Sequence, residues 1–287
     1  MPIAQVRRRW PAWLGAALSV LMIVGLAREM IGGGTAALPE VMPDSPLFYL
    51  FLGLGYLTAP AFDFVIFRRL WRLPADGFGA LVRKRIANDV VFGYSGDVFF
   101  YAWARARLKM VAAPFGAVKD VTILSGIAGN GVTLAMLAVA VPLAVDLLTP
   151  SQLRMLAWSG GVALAVSVPV LLFRKRVFSL PRATLWWVFA MHCARLLIGT
   201  LCFAAASHFA MPKVSLLMWL FLGAGRLLVA RLPLLPNKDL LFATFAIIFI
   251  GHGEALSDLV ALIATLTLLA HVVLMAVFGG LALRKER

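Results

Sequence analysis

Charged residues are scarce in this sequence, and their scarcity excludes most soluble folds. Only 14% of the 287 residues are charged, whereas 62% are hydrophobic; average soluble domains carry about 25% charged residues. Apolar runs separated by short polar connections cover nearly the whole chain. We therefore predict an all-α polytopic membrane protein in which residues 1–287 form a single integral membrane domain.

Cysteine and histidine are also rare, and their spacing excludes the usual disulfide and metal sites. Cys193 and Cys202 share one apolar run without a CxxC spacing, which indicates packing residues. The four histidines show no HxxxH pattern, and the Gly-rich stretches lack the lysine of a phosphate loop. We expect no metal, no other cofactor and no enzymatic activity.

Positive charge is the one kind of charge in excess, with a formal net charge of +14. The Lys and Arg residues stand in clusters beside apolar runs, where they orient helices and contact anionic headgroups. The partners that we expect are membrane lipids, anionic ones in particular, and not nucleic acid.

The apolar runs predict about eight transmembrane helices, because each crossing needs about 20 mostly apolar residues. The basic clusters all fall on one side of this arrangement, so we expect both termini and the 68–119 region to be cytoplasmic and the protein to lie in the bacterial cytoplasmic (inner) membrane. The predicted spans are 13–31, 47–67, 121–148, 155–173, 183–209, 214–232, 238–251 and 257–281.

An alternative interpretation of the first span is a secretory signal peptide, because Arg7 to Arg9 are followed by an apolar run, as in such signals. The run extends through Ile31 to nearly spanning length, which favours an uncleaved helix.

The segment 88–103 is apolar and aromatic, yet basic clusters flank it on both sides. A hairpin that enters the membrane and returns to the same face fits these flanks, with its turn near Gly93, Ser95, Gly96 and Asp97. Non-helical backbone within the membrane, such as the turn of this hairpin, must be shielded by protein or line a water-filled cavity. The alternative is an amphipathic helix on the cytoplasmic surface.

A second interrupted segment resembles the first. GYSGDVFFYAW and LPNKDLLFATF align with Asp97 on Asp239, and each is followed by a long helix. This pattern predicts an internal repeat with halves at about 47–173 and 183–281, and paired broken helices in transporters indicate a central site.

The order and spacing of these pieces resemble the transmembrane region of lysylphosphatidylglycerol synthases, also called flippase-like membrane proteins. The Ser95-Gly96-Asp97 stretch resembles the family's Gly-Glu element, and PLLPNKDLLFATF resembles its Pro-x-x-Pro-Gly-Gly-Leu-Gly turn followed by an acid. Here Asn237 and Lys238 replace a glycine pair, and His271 stands where the family has Arg. The synthases add a cytosolic aminoacyl-transfer domain, and aminoacyl transfer is not expected of this chain.

Five residues are the candidates for substrate binding: Asp97, Arg195, Arg226, Lys238 and Asp239. Ionisable groups within spans usually face a cavity or a partner. Arg195 and Arg226 are suited to a lipid phosphate, because guanidinium binds phosphate through two parallel hydrogen bonds. The alternative for Arg195 is a structural ion pair with Asp63, Asp97 or Asp239.

Two hypotheses for function follow. The first is a flippase-like protein that binds or translocates an anionic lipid, either a phospholipid or a polyprenyl phosphate. The second is a non-catalytic membrane scaffold, or an accessory subunit that binds a lipid-modifying enzyme.

Overall fold

The computed structural model describes residues 42–90, 94–107, 115–144, 150–172, 177–231, 242, 246 and 253–285. Within these residues the chain is all-helical and contains no strand, as the composition predicts. The helices are α1 (Pro46–Trp71), α2 (Gly77–Val90), α3 (Ser95–Arg107), α4 (Phe115–Ala144), α5 (Pro150–Leu172), α6 (Arg182–Ala210), α7 (Leu216–Arg231) and α8 (Gly253–Lys285).

Four stretches of the described helices are long and apolar enough to cross a membrane, so the chain is an integral membrane protein. They are Pro46–Trp71, Phe115–Val139, Arg182–Ala210 and Asp258–Phe278. The predicted spans near α5 and α7 coincide with helices that have shorter apolar stretches. The span 13–31 and all but two residues of 238–251 lie outside the described residues. The total of eight crossings stays a prediction.

The described residues fall into two compact units. The first contains residues 59–122 and 265–285, and the second contains residues 42–58 and 123–264. In the first unit Val82 and Ile86 of α2 are fully buried and pack against Leu268 and Val272 of α8. In the second, Leu137 of α4 and Leu228 of α7 form a small buried cluster with Leu153 of α5. The predicted repeat halves stay a prediction.

Helices α2 and α3 form a helical hairpin in the segment where an interrupted structure was expected. Helix α2 continues to Val90, and α3 already begins at Ser95. Ser95, Gly96 and Asp97, expected at the turn, form the first turn of α3 instead. Tyr94, directly before them, has a φ of 74°, which lies in the left-handed region.

Candidate functional site

Lys84 lies on the buried face of α2, although its neighbours in sequence are Arg83 and Arg85. Ala80, Leu81 and Ala87 are buried on the same helix, and residues three and four apart share one helical face. Lys84 therefore enters the interior of the first unit, and its side chain is only 10% exposed. Burying an ammonium group is costly unless it is paired.

Two carboxylates pair with this ammonium group. Lys84 Nζ donates to Oδ2 of Asp63 at 2.7 Å, and Oδ1 of Asp97 lies 3.2 Å from the same nitrogen. The side chains of Asp63 and Asp97 are 9% and 12% exposed. We call Asp63, Lys84 and Asp97 the ion triad; its members come from α1, α2 and α3.

Neutral donors complete the surroundings of Asp97. Thr122 Oγ1 of α4 donates to Oδ1 of Asp97 at 2.6 Å, and Asn88 Nδ2 of α2 donates to Oδ2 at 3.3 Å. Asp97 thus accepts from an ammonium, a hydroxyl and an amide. An ionised carboxylate can only accept hydrogen bonds, and the two oxygens of Asp97 can accept from all three of these donors.

Short contacts between α2 and α3 hold Asp97 in place. Ser95 Oγ donates to the carbonyl oxygen of Ala87 at 2.6 Å, and the Gly96 N–H donates to Oδ1 of Asn88 at 2.7 Å. Asn88 therefore binds the backbone of α3 with its oxygen and Asp97 with its nitrogen. A Cβ on Gly96 would collide with the Lys84 carbonyl oxygen, so only glycine permits this helix approach.

Aromatic rings cover the triad on one side. Lys84 Nζ lies 5.9 Å from the ring centre of Phe67, and the Phe67 and Phe100 ring centres are 4.6 Å apart. Trp71 packs against both rings, at 4.7 Å from Phe67 and 6.1 Å from Phe100. The apolar cover lowers the local dielectric, which strengthens the attraction within the triad.

Of the candidates chosen from the sequence, Asp97 lies in this cluster, whereas its principal partner Lys84 was missed. In the sequence, Lys84 stands between Arg83 and Arg85 and counts as one residue of a basic cluster. The signal that distinguishes it is helical spacing, because Lys84 follows Ala80 by four residues and precedes Ala87 by three. Arg83 and Arg85 do not share that face.

Arg195 and Arg226 belong to the second unit. Arg195, near the middle of α6, is half-buried and donates from Nη2 to Ser125 Oγ of α4 at 2.8 Å. Its Nε is buried and has no hydrogen-bond partner among the described residues. Arg226 on α7 is exposed, and its guanidinium lies 4.8 Å from the ring centre of Phe203 on α6.

The described contacts of Arg195 and Arg226 do not include each other. Lys238 and Asp239, the other two candidates, lie outside the described residues. The central site that the alignment of Asp97 with Asp239 predicts therefore stays a prediction. His271, which stands where the resembled family has Arg, is buried on α8, and its Nε2 lies 3.5 Å from Oδ2 of Asp89 on α2.

Comparison of the chain with family models, curated proteins and solved structures gives no match, so the geometry of its own residues carries the functional argument.

Proposed function

We propose that this protein is a flippase-like membrane protein that binds an anionic lipid and moves it across the bilayer. The observation that carries this proposal is Arg195, a half-buried guanidinium near the middle of an apolar helix whose described partner is the neutral hydroxyl of Ser125. Arginine within a membrane span is energetically costly and usually serves a substrate or ion pathway.

The donor geometry of Arg195 favours a phosphate. A guanidinium offers five N–H donors in a planar fork, and Ser125 accepts one of them. A lipid phosphate brings both the negative charge and the paired acceptors that the remaining donors require. Arg226 adds an exposed positive charge in the same unit, and Lys238 and Asp239 complete the site in this proposal.

The hairpin of α2 and α3 is re-entrant in this proposal. Its helices have 14 and 13 residues, which at about 1.5 Å per residue is roughly 20 Å, short of the ~30 Å hydrocarbon core. Arg107 Nη2 at the end of α3 lies 2.9 Å from Oδ2 of Asp76, directly before α2. This contact holds the end of α3 beside the start of α2. A hairpin that enters and leaves the membrane at the same face needs its two ends close together, so the contact supports the proposal.

Cysteine labelling tests this placement. In a background without Cys193 and Cys202, single cysteines at the exposed positions Ala75 and Ala106 are expected to react with a membrane-impermeant maleimide from the same face. Intact and inverted vesicles distinguish the two faces. Labelling of the two positions from opposite faces would mean that the segment crosses the membrane, and the topology would have to change.

The second candidate is a membrane scaffold that binds a lipid-modifying enzyme. It is favoured by the ion triad, in which every charge has an opposite charge within 3.2 Å. Paired buried charges of this kind can serve packing specificity alone. The lipid assay below decides between the two candidates.

Lipid exchange in reconstituted vesicles is the decisive measurement. Wild-type protein is expected to expose labelled inner-leaflet anionic phospholipid or polyprenyl phosphate faster than empty vesicles do. Replacing Arg195→Ala should slow this exchange about tenfold or more, because a charge-assisted hydrogen bond contributes about 1.5–3 kcal/mol. Arg226→Ala and Lys238→Ala should also slow it.

The matched controls are Arg195→Lys and Arg154→Ala. Lysine keeps the positive charge but lacks the planar set of guanidinium donors, so a rate of lipid exchange between those of the wild type and Arg195→Ala is expected. Arg154 is exposed, and its Nε donates to the carbonyl oxygen of Pro150, so its loss should leave the rate unchanged. Wild-type exchange no faster than in empty vesicles, for every anionic lipid, would exclude transport and favour the scaffold.

A further inference from the structure

A cavity lies between the end of α1 and the start of α2. Its volume is about 390 Å³, within the roughly 300–1,000 Å³ that is usual for small-molecule sites. The residues that line it are Arg68, Arg72, Leu73, Pro74 and Ala75. This described lining combines two guanidinium groups with apolar side chains and contains no acidic residue. A ligand that matches it carries a negative group beside an apolar one.

The two arginines of the cavity are exposed, and neither forms an ion pair with any residue that the structure describes. The guanidinium of Arg68 lies 5.6 Å from the ring centre of Phe64. This cation–π contact restricts the side chain and supplies no negative charge. Asp76, the acid nearest to the cavity in sequence, pairs with Arg107 at 2.9 Å. The two positive charges are therefore available to an anion.

Arg72 stands where a helix commonly has glycine. It directly follows the last residue of α1, its N–H donates to the carbonyl oxygen of Arg68 at 2.9 Å, and its φ is 53°. Helices often end in such a left-handed residue, and glycine is usual there because a Cβ is strained. The turn itself would favour glycine, so the guanidinium accounts better than the backbone for arginine at this position.

The end of α1 places the cavity at the membrane–water interface. Pro46–Trp71 is long and apolar enough to cross a membrane, and its last residue, Trp71, is of a type enriched at such interfaces. Val65, three residues before Arg68 and thus on the same helical face, is 49% exposed. A lipid with its headgroup in the cavity can extend an acyl chain along this face.

We propose that this cavity is an interfacial binding site for an anionic phospholipid, with the phosphate bound by Arg68 and Arg72. Guanidinium groups bind phosphate oxygens through paired, charge-assisted hydrogen bonds. The two arginines are one helical turn apart and line the same cavity, and Leu73 and Pro74 supply its apolar wall. The site belongs to the first unit, whereas Arg195 belongs to the second, and it holds lipid without moving it.

Photo-crosslinking at Val65 tests the proposal at the site itself. Full-length protein with p-benzoylphenylalanine at this position is reconstituted in vesicles that contain equal amounts of phosphatidylglycerol and phosphatidylcholine with the same acyl chains. Mass spectrometry of the crosslinked protein should show phosphatidylglycerol about tenfold or more in excess, because two arginines near the surface both attract anionic lipid. Arg68→Gln and Arg72→Gly should each lower this preference about fivefold.

Arg72→Gly separates binding from a structural role. Glycine suits the left-handed φ, so this variant should unfold at the wild-type temperature or above while it loses lipid preference. The matched control is Arg154→Gln combined with Arg182→Gln, which removes two exposed arginines outside the cavity and should leave the preference unchanged. Arg68→Gln provides the same test if Arg72→Gly does not fold.

Three results would overturn the proposal: equal crosslinking of the two lipids in the wild type, an unchanged preference in either folded cavity variant, or an equal loss in the control. Calorimetric titration of the protein in detergent distinguishes a lipid from a soluble anion. Inorganic phosphate that binds as tightly as short-chain phosphatidylglycerol would overturn the lipid assignment. None of these measurements depends on lipid exchange, so this site and the proposed transport fail or succeed separately.

Discussion

Replacing Lys84→Met is expected to destabilise the protein by about 3–5 kcal/mol at neutral pH, the range seen when one partner of a buried ion pair is removed. Methionine fills most of the space but leaves Asp63 and Asp97 without the ammonium group that lies 2.7 Å and 3.2 Å from them.

Thermal unfolding in detergent, followed by tryptophan fluorescence or by loss of the monodisperse peak, measures this effect. The control is Arg107→Met, which breaks an ion pair with a 55% exposed arginine side chain and should cost no more than about 1 kcal/mol. A triple variant, Asp63→Asn with Lys84→Met and Asp97→Asn, should regain much of the loss, since it removes all three charges of the triad. Equal effects of Lys84→Met and Arg107→Met would show that the triad contributes little to stability.

Replacing Gly96→Ala is expected to cost about 3 kcal/mol or more, at or above the upper end of the usual overpacking range. The added Cβ would lie 2.6 Å from the carbonyl carbon of Lys84 and 2.9 Å from Oδ1 of Asn88. Both lie on α2, and a backbone carbonyl cannot rotate away as a side chain can. The helices would have to separate, which would also lengthen the hydrogen bond from Gly96 N–H to Asn88.

Gly126→Ala provides the matched control for this substitution. Gly126 lies within α4, and a Cβ there would meet no atom within 4 Å. Alanine in a helix is favoured over glycine by up to about 1 kcal/mol, so this variant should be neutral or slightly more stable. The comparison uses the same thermal unfolding assay. Similar stability of the two variants would mean that α2 and α3 approach less closely than the structure indicates.

Composition alone determined that this protein is helical and membrane-embedded. A chain with 62% hydrophobic residues must satisfy its backbone polar groups internally, and helices do so within a single segment. The predicted spans 47–67 and 183–209 accordingly correspond to α1 and α6. Asp97 could also be chosen from the sequence, because an acidic residue in an apolar segment requires a partner.

The identity of that partner was decided by the tertiary structure. Lys84 and Asp63 are 13 and 34 positions from Asp97 in the chain, and only the packing of α1, α2 and α3 brings the three together. The start of α3 at Ser95, and not after Asp97, likewise depends on the contacts of Ser95 and Gly96 with α2. Hydrophobic periodicity shows which face of one helix is buried, but not which helix covers that face. Buried charges are paired between helices, so the pairs follow only from the tertiary structure.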